Sequence, residues 1–234
     1  TSLLSSSAMP RMGNDRQRAK RRRHGQGNWK IIRYADDFVL MVSGDRHHAE
    51  ALREEVAAVL APLGLRLSAE KTRVVHIDEG FDFLGFHIRQ MRKQGTSKHF
   101  VYTIPSRRAV QSVKDKMKAK TGRSTLHMDP GEMIASLGRM LRGWANYFRH
   151  GVSSKAFGDV DYHAWQRLAR WLRRKHGGLS WRAYRRRFCL PGTWKIAYRG
   201  TVFRGASSVA VTRYRYRGAK IATPWEPRTA AASG

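Results

Sequence analysis

The sequence predicts the α+β class, an antiparallel β portion first and a helical portion after it. Three observations carry this. Short apolar runs rich in Val, Ile, Phe and Tyr cluster between residues 30 and 104. Apolar side chains recur at spacings of three and four through much of residues 106–189. Glycine or proline punctuates several of the junctions.

Taken in order, residues 10–28 (PRMGNDRQRAKRRRHGQGN) form a basic arm, either poorly ordered or a short helix. Lys30–Tyr34 and Phe38–Val42 make a hairpin whose tight connection holds Asp36 and Asp37. Ala49, Leu52, Val56, Val59 and Leu60 mark an amphipathic helix over 47–65, stopped by Pro62 and Gly64. Arg73–Ile77 reads as a strand after a turn. FDFLGFHIRQM (81–91) reads as one alternating strand, with Gly85 at a bend or close backbone approach. HFVYTIP (99–105) is a further alternating segment.

Four helices are then expected, at 106–122, 129–151, 159–177 and 180–189. The second opens with Asp129 as N-cap and Pro130 at its first position. Its apolar face runs through Met133, Ile134, Leu137, Leu141, Trp144 and Phe148. The third repeats the scheme with Tyr162, Trp165, Leu168, Ala169 and Leu172. The last fifty residues hold strand-like pieces such as 208–218.

Composition narrows the partner. The chain of 234 residues is 41% hydrophobic, enough for a packed core in one large or two small domains. Its 46 Lys+Arg against 17 Asp+Glu give a formal charge of +29. Such a charge calls for a polyanion, nucleic acid first and an anionic membrane surface second. No run of 18 apolar residues offers a membrane span. The single Cys189 excludes a disulfide framework and a multi-cysteine zinc site. Reducing cytosol is the expected compartment. Residues 1–100 carry a net +7 and residues 101–234 a net +22. The shift falls near TIPSRR (103–108), which sets expected domains of 1–28, 29–104 and 105–234.

The adjacent acids Asp36 and Asp37 have two readings. Asp is common in solvent turns. The near-continuous apolar flanks, however, suit strands buried on both faces, where two anions need a compensating cation. Oxygen-only ligands favour Mg²⁺ or Mn²⁺, and paired metals serve phosphoryl transfer.

Tyr34-Ala35-Asp36-Asp37 resembles the Y-x-D-D signature of reverse transcriptases, in the form found in group II intron-encoded proteins. GLRLSAEKT (64–72) and GFDFLGF (80–86) resemble the next two palm motifs, in the family's order. RGWANYFRHG (142–151) is similar to the maturase region, or thumb. The resemblance implies a palm remnant over 29–104 and a maturase-specific domain over 105–234. It also implies RNA-directed DNA polymerase activity with a two-metal Mg²⁺ site on Asp36 and Asp37. Lys71 falls at the position of a lysine that protonates the leaving pyrophosphate; a solvated lysine or a phosphate clamp is the other reading. Tyr34 matches an aromatic beside the primer or template, with core packing as the alternative. Phe83, Leu84, Gly85 and Phe86 match the primer grip. The implied partners are group II intron RNA, an RNA template with its DNA primer, and dNTP, with roles in splicing and mobility.

In the helical half, tryptophans at such spacing are core residues first. Arg142, Arg149, Arg167, Arg170, Arg173, Arg174 and Lys175, with Arg185, Arg186 and Arg187, are the candidates for RNA contact, because counter-charges are scarce and aromatics are interleaved. The family's other metal-binding aspartate lies on an earlier strand. Only 33 residues precede Tyr34, none reading as that strand, and Asp15 is a poor substitute. The expectation is therefore a C-terminal part whose isolated activity is doubtful, acting with an upstream polymerase segment or as a dimer. The alternative is a catalytically inactive, RNA-binding maturase remnant that assists intron folding. A generic basic ribosome-associated protein is a third reading.

Overall fold

The computed structural model describes residues 14–213. The chain divides into two compact units between Glu79 and Gly80. Both combine helices with small antiparallel sheets, in keeping with the α+β expectation.

In the first unit, helix α1 (Asp15–Arg23) is closed by an Asn14–Gln17 capping box. Strands β1 (Asn28–Tyr34) and β2 (Asp37–Ser43) pair antiparallel over their whole length, Tyr34 opposite Asp37. Helix α2 (Arg46–Leu60) buries Leu52, Val56 and Leu60, then ends in a 3₁₀ turn at Ala61–Leu63. Gly64 stops it at φ +70°, a left-handed cap that glycine adopts without strain. Two expectations fail in this unit. The hairpin is not buried on both faces: Ile32 is 46% exposed and Met41 37%, because the sheet has only these two strands among the described residues. Arg73–Ile77 forms no strand and has no partner ladder among the described residues to satisfy its backbone.

The second unit opens with β3 (Phe81–Phe83), β4 (Phe86–Arg92) and β5 (His99–Pro105), an antiparallel sheet in sequence order. Residues 81–91 are therefore a hairpin rather than one strand. Leu84 (φ 49°) and Gly85 (φ 77°) form its two-residue loop, the positive φ pair that matches strand twist. These strands share a unit with the helices that follow, so the compact boundary lies upstream of the composition shift at 103–108.

Ser106 caps α3 (Arg107–Lys120), and Asp129 caps α4 (Pro130–Phe148) through Gly131 and Glu132. Helix α5 (Ser154–Lys175) begins earlier than its periodicity indicates, and α6 (Trp181–Phe188) follows. The core joins Met133, Ile134, Leu137, Leu141, Ala145 and Phe148 of α4 to Phe157, Val160, Ala164, Leu168 and Leu172 of α5. Val113 and Met117 of α3 and Tyr184 and Phe188 of α6 complete it. Tyr162 leaves the expected α5 face and stands 65% exposed, while Trp171 is buried. Short strands β6 (Ala197–Tyr198) and β7 (Thr201–Val202) pair after α6. Of the strand-like 208–218, residues 208–213 form no strand and the rest lie outside the described residues.

Two glycines tie sheet to helices. Gly85 donates no side chain where a Cβ would meet Phe148 at 3.4 Å, and its carbonyl accepts from the Ser106 amide at 2.8 Å. A Cβ on Gly151 would stand 2.8 Å from the Thr103 carbonyl oxygen, where Val152 also donates at 2.7 Å. Gly85→Ala is expected to cost about 1–2 kcal/mol through its left-handed backbone. Gly151→Ala is expected to cost about 1–3 kcal/mol through overpacking. Urea unfolding of the full chain would measure both; a change below about 0.5 kcal/mol at either position would refute the corresponding account.

Candidate functional site

The β1–β2 loop consists of Ala35 and Asp36 alone, so Asp37 is the first residue of β2 rather than part of the turn. Ala35 adopts φ 50°, a conformation that usually falls to glycine. The Arg33 guanidinium donates to the Ala35 carbonyl at 2.8 Å and helps hold the loop. Tyr34 is 64% exposed, so its ring is not a core residue of this chain. Asp36 and Asp37 are exposed, and neither takes part in a salt bridge among the described residues.

Two free carboxylates fit part of a Mg²⁺ shell, since that ion takes oxygen ligands and keeps several waters. No third His, Cys, Asp or Glu among the described residues comes within ligand reach of them. Asp45, His47 and His48 do converge, but both ring nitrogens of His48 are engaged, by the Asp45 amide and the Gly25 carbonyl. Lys71 is exposed in a turn where its amide and that of Thr72 both donate to the Ser68 carbonyl.

Phe83, Leu84, Gly85 and Phe86 belong to the second unit, at the β3–β4 loop. Tyr147 donates its phenol to the Leu84 carbonyl at 2.8 Å. Phe86 stacks on Tyr147 at 5.7 Å and meets Phe148 edge-on at 4.9 Å. The loop is therefore set by aromatic residues at the C-terminal end of α4, a link that sequence spacing did not reveal.

The candidate RNA-contact cations fall into two groups. Arg167 donates to Thr121 Oγ1 at 2.9 Å and to the Lys118 and Thr121 carbonyls, closing the C-terminal end of α3. Burial, then the neighbouring Arg170 and Arg174, pull its pKa below the usual arginine value. Arg173 donates to the Leu179 carbonyl and lies 4.3 Å above the Trp181 ring. Lys175 donates to the Leu126 carbonyl at 2.7 Å, and Arg149 reaches Thr212. Arg185 and Arg187 lie over Trp194 and Phe188. Arg142, Arg170, Arg174 and Arg186 are exposed. Sequence spacing also missed the grouping of Trp165, Trp181 and Trp194, which are far apart along the chain and meet where the loop after α6 returns to α5.

Two family models match the chain. Residues 2–88 match the family "Reverse transcriptase (RNA-dependent DNA polymerase)", and residues 110–189 match "Group II intron, maturase-specific domain". The chain belongs to the group II intron reverse transcriptase/maturase family. It is 45% identical to Protein YkfC of Escherichia coli over 86 residues, 35% of this chain and 23% of that protein. It is 37% identical to the group II intron-encoded protein LtrA of Lactococcus lactis over 70 residues, 30% of this chain and 12% of that protein. An uncharacterized 91 kDa protein in the cob intron of Schizosaccharomyces pombe shares 24% identity over 143 residues, 53% of this chain and 18% of that protein. The chain thus spans less than a quarter of the length of these relatives. Among the described residues, no helix is long and apolar enough to cross a membrane.

Substitutions should separate the two groups of cations. Arg167→Ala is expected to lose about 1.5–3 kcal/mol of stability, because hydrogen bonds to a charged group are lost. Arg170→Ala should leave the unfolding midpoint unchanged and reduce the salt slope of RNA binding by about one. Equal effects of both variants on stability would contradict the division. His163 is pulled below its ordinary pKa by burial, then by Lys114, Arg167 and Arg170. The folded state therefore favours its neutral form. Its contribution is complete above about pH 6.5 and is lost as pH falls toward the lowered folded value. A pH series of unfolding midpoints that is flatter in His163→Gln than in wild type would register it.

Proposed function

We propose that this chain carries the end of a reverse transcriptase palm and a maturase thumb, a portion of an RNA-directed DNA polymerase that also holds intron RNA for splicing and mobility. The observation that carries the reading is the Tyr34–Asp37 hairpin, whose carboxylates stand exposed, without salt bridges among the described residues, beside an exposed aromatic. Asp36 and Asp37 would hold Mg²⁺ through oxygen donors, and the bound metal would offset charge on the attacking and leaving oxygens of nucleotidyl transfer. Lys71 would pass a proton to the pyrophosphate oxygen. Phe83, Leu84, Gly85 and Phe86 would steady the primer end, and Tyr34 would lie against the primer or template. Exposed arginines on α4, α5 and α6 would contact intron RNA phosphates, consistent with the net +22 of residues 101–234.

The charge also favours a second reading for the 234 residues acting alone: RNA binding without catalysis. Among the described residues, no third His, Cys, Asp or Glu joins Asp36 and Asp37 within ligand reach. Filter binding to structured intron RNA should weaken by tenfold or more between about 50 and about 200 mM KCl. Primer extension with Mg²⁺ and dNTP should be absent. Extension that disappears in Asp36→Ala would overturn the binding-only reading and support the polymerase. RNA affinity indifferent to salt, or to structured intron competitor, would count against both.

A further inference from the structure

A depression of about 710 Å³ lies on the second unit, lined by Tyr162, Trp165, Trp181, Thr193, Trp194 and Lys195. Its aromatic rings are organised. Trp165 and Trp181 are near-parallel, 6° between planes, with centroids 6.1 Å apart. Trp194 meets both edge-on, at 6.0 and 6.3 Å. Trp165 donates its indole N–H to the Trp194 carbonyl at 2.9 Å, which ties α5 to the loop after α6. The cluster remains open to solvent: Tyr162 is 65% exposed, Trp194 47% and Trp181 44%. Leaving so much aromatic surface in water is unfavourable, and this site has no covering element among the described residues.

Cations frame the rings. The Arg173 guanidinium lies 4.3 Å from the Trp181 centroid, and that of Arg185 lies 5.1 Å from Trp194. Lys195 is part of the lining, which contains no carboxylate. Asp161, the neighbour of Tyr162, turns its carboxylate to the Ala206 and Ser207 amides instead. Flat apolar faces ringed by positive charge match one ligand chemistry, a π-face joined to an anionic backbone.

We infer that this cluster is a stacking site for an unpaired nucleobase of single-stranded or looped RNA, with Lys195, Arg185 and neighbouring arginines on the flanking phosphates. Unstacked bases seat on aromatic and guanidinium planes in this way, with little sequence preference. A base inside a helical duplex has both faces covered by its neighbours and offers none to the cluster. The inference rests on the RNA-binding reading of the second unit and adds to it a place and a part of the nucleotide.

The test compares an unstructured RNA oligonucleotide with an oligonucleotide of equal length and charge carrying abasic ribose phosphates. Binding to the full chain is followed by anisotropy and by quenching of tryptophan fluorescence. Wild type should prefer the intact oligonucleotide by about tenfold, the worth of a stacked base. Trp194→Ala keeps the backbone carbonyl that Trp165 uses, and should abolish the preference while abasic RNA binds as before. Trp194→Phe should restore most of it. Tyr162→Ala, on a solvent-facing position of α5, provides an independent variant that leaves the core intact. An equal affinity of wild type for intact and abasic RNA would overturn the stacking site while the RNA-binding reading stands. An unchanged preference in both alanine variants would do the same. Absence of any RNA binding would remove both. A wild-type dimer in sedimentation that Trp194→Ala disperses would assign the cluster to self-association and overturn the inference.

Discussion

The second unit depends on the apolar seam between α4 and α5. Ile134, Leu137 and Leu141 are fully buried on one helix, and Val160, Ala164 and Leu168 on the other. Each of the Ile, Leu and Val side chains contributes about 1.5–3 kcal/mol relative to exposure, and Ala164 less, so together they outweigh any single polar interaction in the unit. What α4 does at its far end follows from that burial. With its axis fixed, Phe148 and Tyr147 project onto the β3–β4 loop, one by packing and one by a hydrogen bond to Leu84. The loop proposed to steady the primer is therefore positioned by a helix that lies within the segment matched to the maturase-specific domain. A change in the seam would be felt at the Leu84–Gly85 loop without any alteration to the loop's own residues.

Helices were the most legible part of the sequence because their signals are local. Asp129 and Pro130 mark the start of α4, and Pro62 with Gly64 the end of α2, through capping chemistry confined to a few residues. The β portion was less legible because pairing is non-local. FDFLGF alternates as a single strand would, yet Leu84 and Gly85 both take positive φ and reverse the chain. Arg73–Ile77 has strand composition without a partner strand among the described residues. Of the candidate site, the Asp36–Asp37 position was readable from its four-residue motif. The division of the arginines and lysines was not, since acceptors such as the Thr121 and Leu126 carbonyls lie more than forty residues away from Arg167 and Lys175 and only the tertiary fold brings them near. Tyr162 was misassigned because helical periodicity determines which residues share a face and leaves the direction of that face to packing.

The preference of these cations for carbonyl partners follows from the shortage of carboxylates. Arg21 donates to Gly27, Arg33 to Ala35, Arg92 to Thr96, Arg167 to Lys118, Arg173 to Leu179 and Lys175 to Leu126. Each bond satisfies donors and closes a loop or a helix end. None cancels a positive charge, as an ion pair would.

That distinction gives the folded chain an electrostatic debt of a particular kind. A few ion pairs such as Arg46–Glu50 and Lys155–Asp159 leave most of the net +29 uncompensated, so mutual repulsion opposes compaction whenever no anion is at hand. A polyanion that settles on the folded surface relieves the repulsion and adds its own linkage free energy to the native state. A nucleic acid bound as proposed would then serve as a counterion reservoir for the fold, and the bare protein would be the softer of the two forms.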